Sequence, residues 1–170
     1  MKKNQFGTKL VVLMGLFIAM SVIGAYIKIP NAVTGSIAFD SFPAFVGALI
    51  LGGIPGAIIA FLGHMVSAAI TGFPMTLPIH LFIGFQMAII MFVFSFAAKR
   101  TNIIVASVIA IILNGVVAPA CFILIPNMGM PVFIAILLPL LVASVANVLA
   151  AVLIYRTIIN TSVVKKLQDI

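Results

Sequence analysis

Leu77-Pro78-Ile79-His80-Leu81-Phe82-Ile83-Gly84-Phe85-Gln86-Met87-Ala88-Ile89-Ile90-Met91-Phe92-Val93-Phe94-Ser95-Phe96-Ala97-Ala98-Lys99-Arg100 carries no formal charge until two cations end it. A helix needs about 20 mostly apolar residues to cross a hydrocarbon core about 30 Å thick, and the run from Pro78 to about Ala98 has that length. The whole chain matches this stretch. Its 170 residues are 65% hydrophobic and 6% charged, and the mean hydropathy is +1.42. Such a composition places the chain in a bilayer and excludes a water-soluble domain.

Working outward, the basic turn Lys99-Arg100-Thr101-Asn102 leads into an apolar run from Ile103 to about Ile125. The turn cluster Pro126-Asn127-Met128-Gly129-Met130-Pro131 then precedes another run from about Val132 to Ile158. Towards the N-terminus, Gly52-Gly53-Ile54-Pro55-Gly56 separates a short run, about Ser41 to Leu51, from one over about Ala57 to Thr71. A first run covers roughly Leu10 to Ile27, and its length and the lack of a small-residue cleavage site predict a retained span. The expectation is one all-α domain over residues 1–170, an integral membrane bundle of six transmembrane helices. Pro119 and Pro139 fall inside predicted helices, where a missing N–H favours a bend that neighbouring helices support.

Cytoplasmic flanks retain Lys and Arg during insertion. In a six-span arrangement Lys2, Lys3, Lys9, Lys99, Arg100, Arg156, Lys165 and Lys166 share one side, and only Lys28 lies on the other. Both termini are therefore expected in the cytoplasm, with the chain multi-pass in a cell membrane. The net charge of +7 follows from this asymmetry and from attraction to anionic lipid, so no nucleic-acid partner is implied.

This topology turns two polar signatures to the same outer mouth: Gly35 to Pro43, which holds Asp40, and Thr71 to His80. Asp40 suits either a helix cap or a ligand's hydrogen-bond donors. His64, Ser67 and Thr71 recur at i, i+3 and i+7, which makes a polar stripe expected to face a cavity or another helix. Gln86, Asn114 and Asn147 each set one amide among apolar residues, able to read a neutral ligand or to join helices. Phe39, Phe42, Phe73 and Phe82 gather near that mouth, where aromatic faces could stack on a flat heterocycle.

The inventory disfavours chemistry. There is no Gly-x-x-x-x-Gly-Lys-Ser/Thr loop for ATP, no His-Glu-x-x-His zinc motif, no pair of intramembrane carboxylates and no Gly-x-Ser-x-Gly elbow. Cys121 has no partner for a disulfide or thiolate metal site. Neither an enzyme nor a bound cofactor or metal is expected. Gly15 with Ala19, and Ser21 with Ala25, are small-xxx-small pairs on the first span, suited to close helix packing or to a partner membrane protein.

These residues together resemble the S-components of energy-coupling factor (ECF) transporters, six-helix membrane subunits that capture vitamins. Gly35 to Pro43, Gly63-His64-Met65 through Gly72-Phe73-Pro74, Leu77-Pro78-Ile79-His80-Leu81 and Asn114-Gly115 most resemble the S-components assigned to α-ribazole, a precursor of the cobalamin lower ligand. The resemblance implies solute capture at the outer face and docking onto one transmembrane coupling protein and two cytosolic ATPases. It implies a lid from Lys28 to Asp40, and a docking pattern at Gly15 and Ala19 or at Ser21 and Ala25. Substrate contacts are expected among Phe39, Asp40, His64, Thr71, Phe73, His80, Gln86, Asn114 and Asn147. The related cobalt and nickel subunits begin Met-His, unlike Met1-Lys2 here, which disfavours metal uptake. Another vitamin, such as a pyrimidine precursor, a flavin or a cobamide, is the alternative within the family. A non-transporting structural subunit of a membrane complex is the alternative outside it.

Overall fold

The computed structural model describes residues 7–31, 35–162 and 164, with backbone only at 28–31 and 35–38. Lys2, Lys3, Lys165, Lys166 and Asp169 lie outside the described residues. Among the described residues six helical rods follow in order: α1 (Thr8–Gly24), α2 (Phe42–Ile50), α3 (Gly53–Ile70), α4 (Leu77–Arg100), α5 (Ile103–Leu124) and α6 (Gly129–Ile158). Each sits where the apolar runs place it. Four of them, α3 to α6, are long and apolar enough to cross a membrane, while α1 has 17 residues and α2 has 9. At 1.5 Å per residue α2 reaches only about 14 Å, half of a hydrocarbon core.

The bundle is all-helical, and its loop after α1 adds a small element that periodicity did not predict. Here β1 (Lys28–Asn31) pairs antiparallel with β2 (Gly35–Ala38), with Lys28 opposite Ala38 and Asn31 opposite Gly35. A chain leaving a helix must find partners for its backbone N–H and C=O groups, and this loop finds them in itself. The Phe39 N–H continues the ladder by donating to the Ile27 carbonyl at 3.0 Å. Gly24 makes the return close, because a Cβ at that position would collide with the Phe39 carbonyl.

The helices pack on small residues. Gly63 of α3 meets Ser21 of α1, where a Cβ on the glycine would lie 2.9 Å from the Ser21 Cβ, and Gly56 sits against Ala48 of α2. Phe45 of α2 and Phe94 of α4 are fully buried and meet edge to face at 5.1 Å, with Ile59, Met91 and Val148 buried in the same core. The outer surface is apolar as well. Phe85, Ile89, Phe92 and Phe96 form one exposed stripe on α4, and Ile134, Leu138, Val142, Leu149 and Leu153 form another on α6. Large exposed stripes of this kind suit a lipid surround.

The proline within α5 coincides with a change of helix type. The rod is α-helical over Ile103–Ile112, takes a π turn over Leu113–Val117, and ends in a 3-10 turn over Cys121–Leu124. Pro119 has no N–H to give, so the backbone ahead of it reorganises. Pro139 is accommodated within α6. Asn102 caps the start of α5, its side chain accepting from the N–H groups of Ile104 and Val105 at 3.0 Å.

Alternation of six rods brings Lys9, Lys99, Arg100 and Arg156 to one end and the hairpin to the other. Lys99 and Arg156 line one hollow at the basic end, where the Ser95 hydroxyl also donates to the Ala48 carbonyl at 2.9 Å.

Candidate functional site

At the hairpin end α1, α3 and α5 finish and α2, α4 and α6 begin, and between them lies a cavity of about 170 Å³. Seven of the nine residues expected to touch a solute line it: Asp40, His64, Thr71, His80, Gln86, Asn114 and Asn147. They come from five different segments, so their meeting is a property of the fold and not of local sequence.

The polar stripe of α3 faces this cavity along its length, with His64, Ser67 and Thr71 all in the wall. Thr71 turns its hydroxyl back to the Ser67 and Ala68 carbonyls at 3.1 and 3.0 Å, which satisfies the end of the helix. The turn that follows is conformationally demanding. Gly72, Phe73 and Thr76 all have positive φ, at 77°, 50° and 75°. For a bulky or β-branched residue this is strained backbone, which concentrates at functional segments. Its effect is to return the chain tightly so that Pro78 and His80 start α4 beside the end of α3.

Asp40, His64 and His80 form a line across the mouth. Asp40 Oδ2 lies 3.8 Å from His64 Nδ1, and His64 Nε2 lies 3.1 Å from His80 Nδ1. The Ser41 hydroxyl donates to Asp40 Oδ1 at 3.2 Å. His80 Nε2 and the Ser67 hydroxyl are buried and have no hydrogen-bond partner among the described residues. Among the described residues no three His, Cys, Asp or Glu side chains converge as metal ligands; the two imidazoles and the carboxylate are strung out instead.

The three amides serve two purposes. Asn147 Oδ1 accepts the Phe42 N–H at 2.8 Å, and its Nδ2 donates to the Ala143 carbonyl at 2.9 Å. Gln86 donates to the Ala118 carbonyl at 3.2 Å, and Asn114 donates to the Ser144 hydroxyl at 2.8 Å. Each amide joins helices while its side chain contributes to the cavity wall. The π turn places Asn114 there, and the next residue must be small: a Cβ on Gly115 would come within 2.8 Å of Leu141.

Neither Phe39 nor Phe73 lines the cavity. Phe39 lies at the base of the hairpin with its carbonyl against Gly24, and the Phe73 ring stands behind His80 at 5.7 Å. The aromatic in the wall is Phe122, whose far side meets Phe82 edge to face at 6.2 Å. Sequence reading missed it, together with Ile83, Met87, Ile136 and Leu140. Helical spacing from the polar anchors picks out four of them: Ile83 and Met87 follow His80 at i+3 and i+7, and Ile136 and Leu140 precede Asn147 by 11 and 7. Phe122 lies past the π turn and Pro119, in the 3-10 end of α5, where that spacing no longer applies.

The expected docking residues on α1 divide into two pairs. Ser21 is 1% exposed against Gly63, and Ala25 lines the cavity, so the second pair is used within the chain. Gly15 and Ala19 face outward with Val12, Leu16 and Ile23, and nothing lies within 4 Å of where a Gly15 Cβ would be.

A family model described as "ECF transporter, substrate-specific component" matches residues 9–162. The chain belongs to the substrate-specific components of ECF transporters. That family consists of substrate-binding parts of transporters and not of enzymes. No curated protein sequence matches the chain. A solved structure described as "Structure and mechanism of the S component of a bacterial ECF transporter" superposes with a TM-score of 0.72 at 19% identity, covering 89% of this chain and 96% of that one. At that identity the likeness establishes a shared fold, the ECF S-component bundle.

Proposed function

We propose that this S-component captures α-ribazole, a vitamin precursor, at the extracytoplasmic face of a bacterial cytoplasmic membrane and delivers it inward when docked to its energising module. The observation that carries this reading is the cavity at the hairpin end, where two histidines, a carboxylate and three amides from five segments meet an apolar wall. Polar groups fix orientation and apolar surface supplies affinity in such sites. Phe122, Met87 and Ile136 suit a flat dimethylbenzimidazole, while Asp40, His80 and Asn114 suit the hydroxyls of a ribose.

Orientation in this proposal follows from charge. Lys9, Lys99, Arg100 and Arg156 gather at the end opposite the cavity, which the positive-inside rule assigns to the cytoplasm, with both termini there. The short α2 then dips in from the outer surface. At about 170 Å³ the cavity is smaller than the roughly 300 Å³ at which ligand pockets usually begin, so a nucleoside enters by displacing the 28–40 segment or the 71–76 turn. The 28–40 segment is accordingly assigned the role of lid.

The partners in this proposal are one transmembrane coupling protein and two cytosolic ATPases, since the chain has no nucleotide-binding loop of its own. The exposed Gly15 and Ala19 face is assigned to the coupling protein. Cells that make the chain with such a module and are fed labelled α-ribazole should accumulate label only when both are present. Accumulation of a pyrimidine precursor, a flavin or an intact cobamide in its place would reassign the solute. Accumulation of none of them would overturn the transport reading.

A further inference from the structure

His64 Nε2 and His80 Nδ1 face each other at 3.1 Å, so one must donate and the other accept. Asp40 decides which. Its Oδ2 stands 3.8 Å from His64 Nδ1, where a proton meets negative charge favourably and a ring lone pair would be repelled. Neutral His64 with its proton on Nδ1 has only a lone pair at Nε2. His80 must therefore donate from Nδ1, and its own Nε2 is left as an acceptor. That atom is buried without a hydrogen-bond partner among the described residues, on a side chain that lines the cavity and is 8% exposed.

A buried acceptor with no donor is unfavourable until something supplies one. We propose that His80 is a specificity-determining residue whose Nε2 requires an O–H or N–H donor from the solute, with Asp40 fixing this polarity from two side chains away through His64. The proposal rests on the solute-binding reading of the cavity and narrows its substrate class. The Ser67 hydroxyl, also buried without a partner in the same wall, both donates and accepts, so it tolerates either polarity. A neutral solute rich in hydroxyls, such as a nucleoside, satisfies both groups. A solute that brings a carboxylate or a bare carbonyl to this wall meets the His80 lone pair and the Asp40 charge, and is rejected.

The chain has two histidines, so ¹⁵N labelling of histidine in the full chain, held in lipid nanodiscs, reads both rings directly. Without solute, both rings should show a protonated Nδ1 and a bare Nε2, and Asp40→Ala should erase the preference. A protonated Nε2 on His80 in the neutral ring overturns the proposal. In binding titrations with α-ribazole and its 2′-, 3′- and 5′-deoxy analogues, one analogue should lose about ten- to a hundredfold in affinity. His80→Phe should abolish that difference. Equal affinity for all three deoxy analogues and the parent overturns the demand for a donor. The tautomers are read whether or not α-ribazole binds, so a wrong solute and a wrong polarity give different results.

Discussion

Asn147 Oδ1 accepts the backbone N–H of Phe42 at 2.8 Å, which ties the middle of α6 to the first turn of α2. Asp40 and Ser41, both in the cavity wall, immediately precede that turn. One amide in the longest helix thus fixes where the carboxylate stands. Helix N-termini leave N–H groups without intrahelical partners, and Phe42 presents one where its own N-cap, Ser41, makes no side-chain capping bond.

Asn147→Ala should therefore lower stability by about 1–3 kcal/mol, the range for stranding a buried donor. The melting temperature of the purified chain in detergent measures this. Solute affinity should fall as well, because Asp40 loses its anchor. An unchanged melting temperature would show that the Phe42 N–H finds another acceptor.

Asp40→Ala should reduce solute affinity and uptake about tenfold or more, as expected for a charged hydrogen-bonding group removed from a largely desolvated site. The amount of protein in the membrane should stay the same, since Asp40 contributes to no buried core cluster. Parallel uptake and membrane-fraction immunoblots separate the two effects. Normal uptake would remove Asp40 from the site.

Ala19→Leu places bulk on the outward face of α1, beside Gly15 and away from the cavity. Solute binding by the isolated chain should be unchanged, within about twofold, while uptake in cells carrying the module should fall about tenfold or more if helices must approach closely there. Loss of binding in the isolated chain would instead place Ala19 in the folding of the bundle.

Much of this architecture was legible in the sequence, because a bilayer reduces structure to the length and spacing of apolar runs. The Lys99-Arg100 stop and the Gly52-Gly53 and Pro126 to Pro131 breaks marked helix ends to within a few residues. The i, i+3, i+7 stripe of His64, Ser67 and Thr71 pointed to a cavity or another helix, since uncompensated polar groups on a lipid face are costly, and all three residues line the cavity in the structure. The aromatic wall was harder to see. Phenylalanine serves lipid contact, core and cavity alike, so Phe73 and Phe122 look the same in a sequence, and Phe122 sits in the 3-10 end of α5, past a π turn that apolar periodicity does not show. The hairpin was equally hidden, since its pairing depends on α1 and α2 holding its two ends together.

Thermal unfolding of the purified chain with and without α-ribazole tests most directly whether the cavity at the hairpin end is a receptor for that solute. At a solute concentration a hundredfold above the dissociation constant, the folded chain should gain about 2.7 kcal/mol and melt at a correspondingly higher temperature. Asp40→Ala should need about tenfold more solute for the same gain. A melting curve that does not move with α-ribazole, at any concentration up to its solubility, would contradict the account.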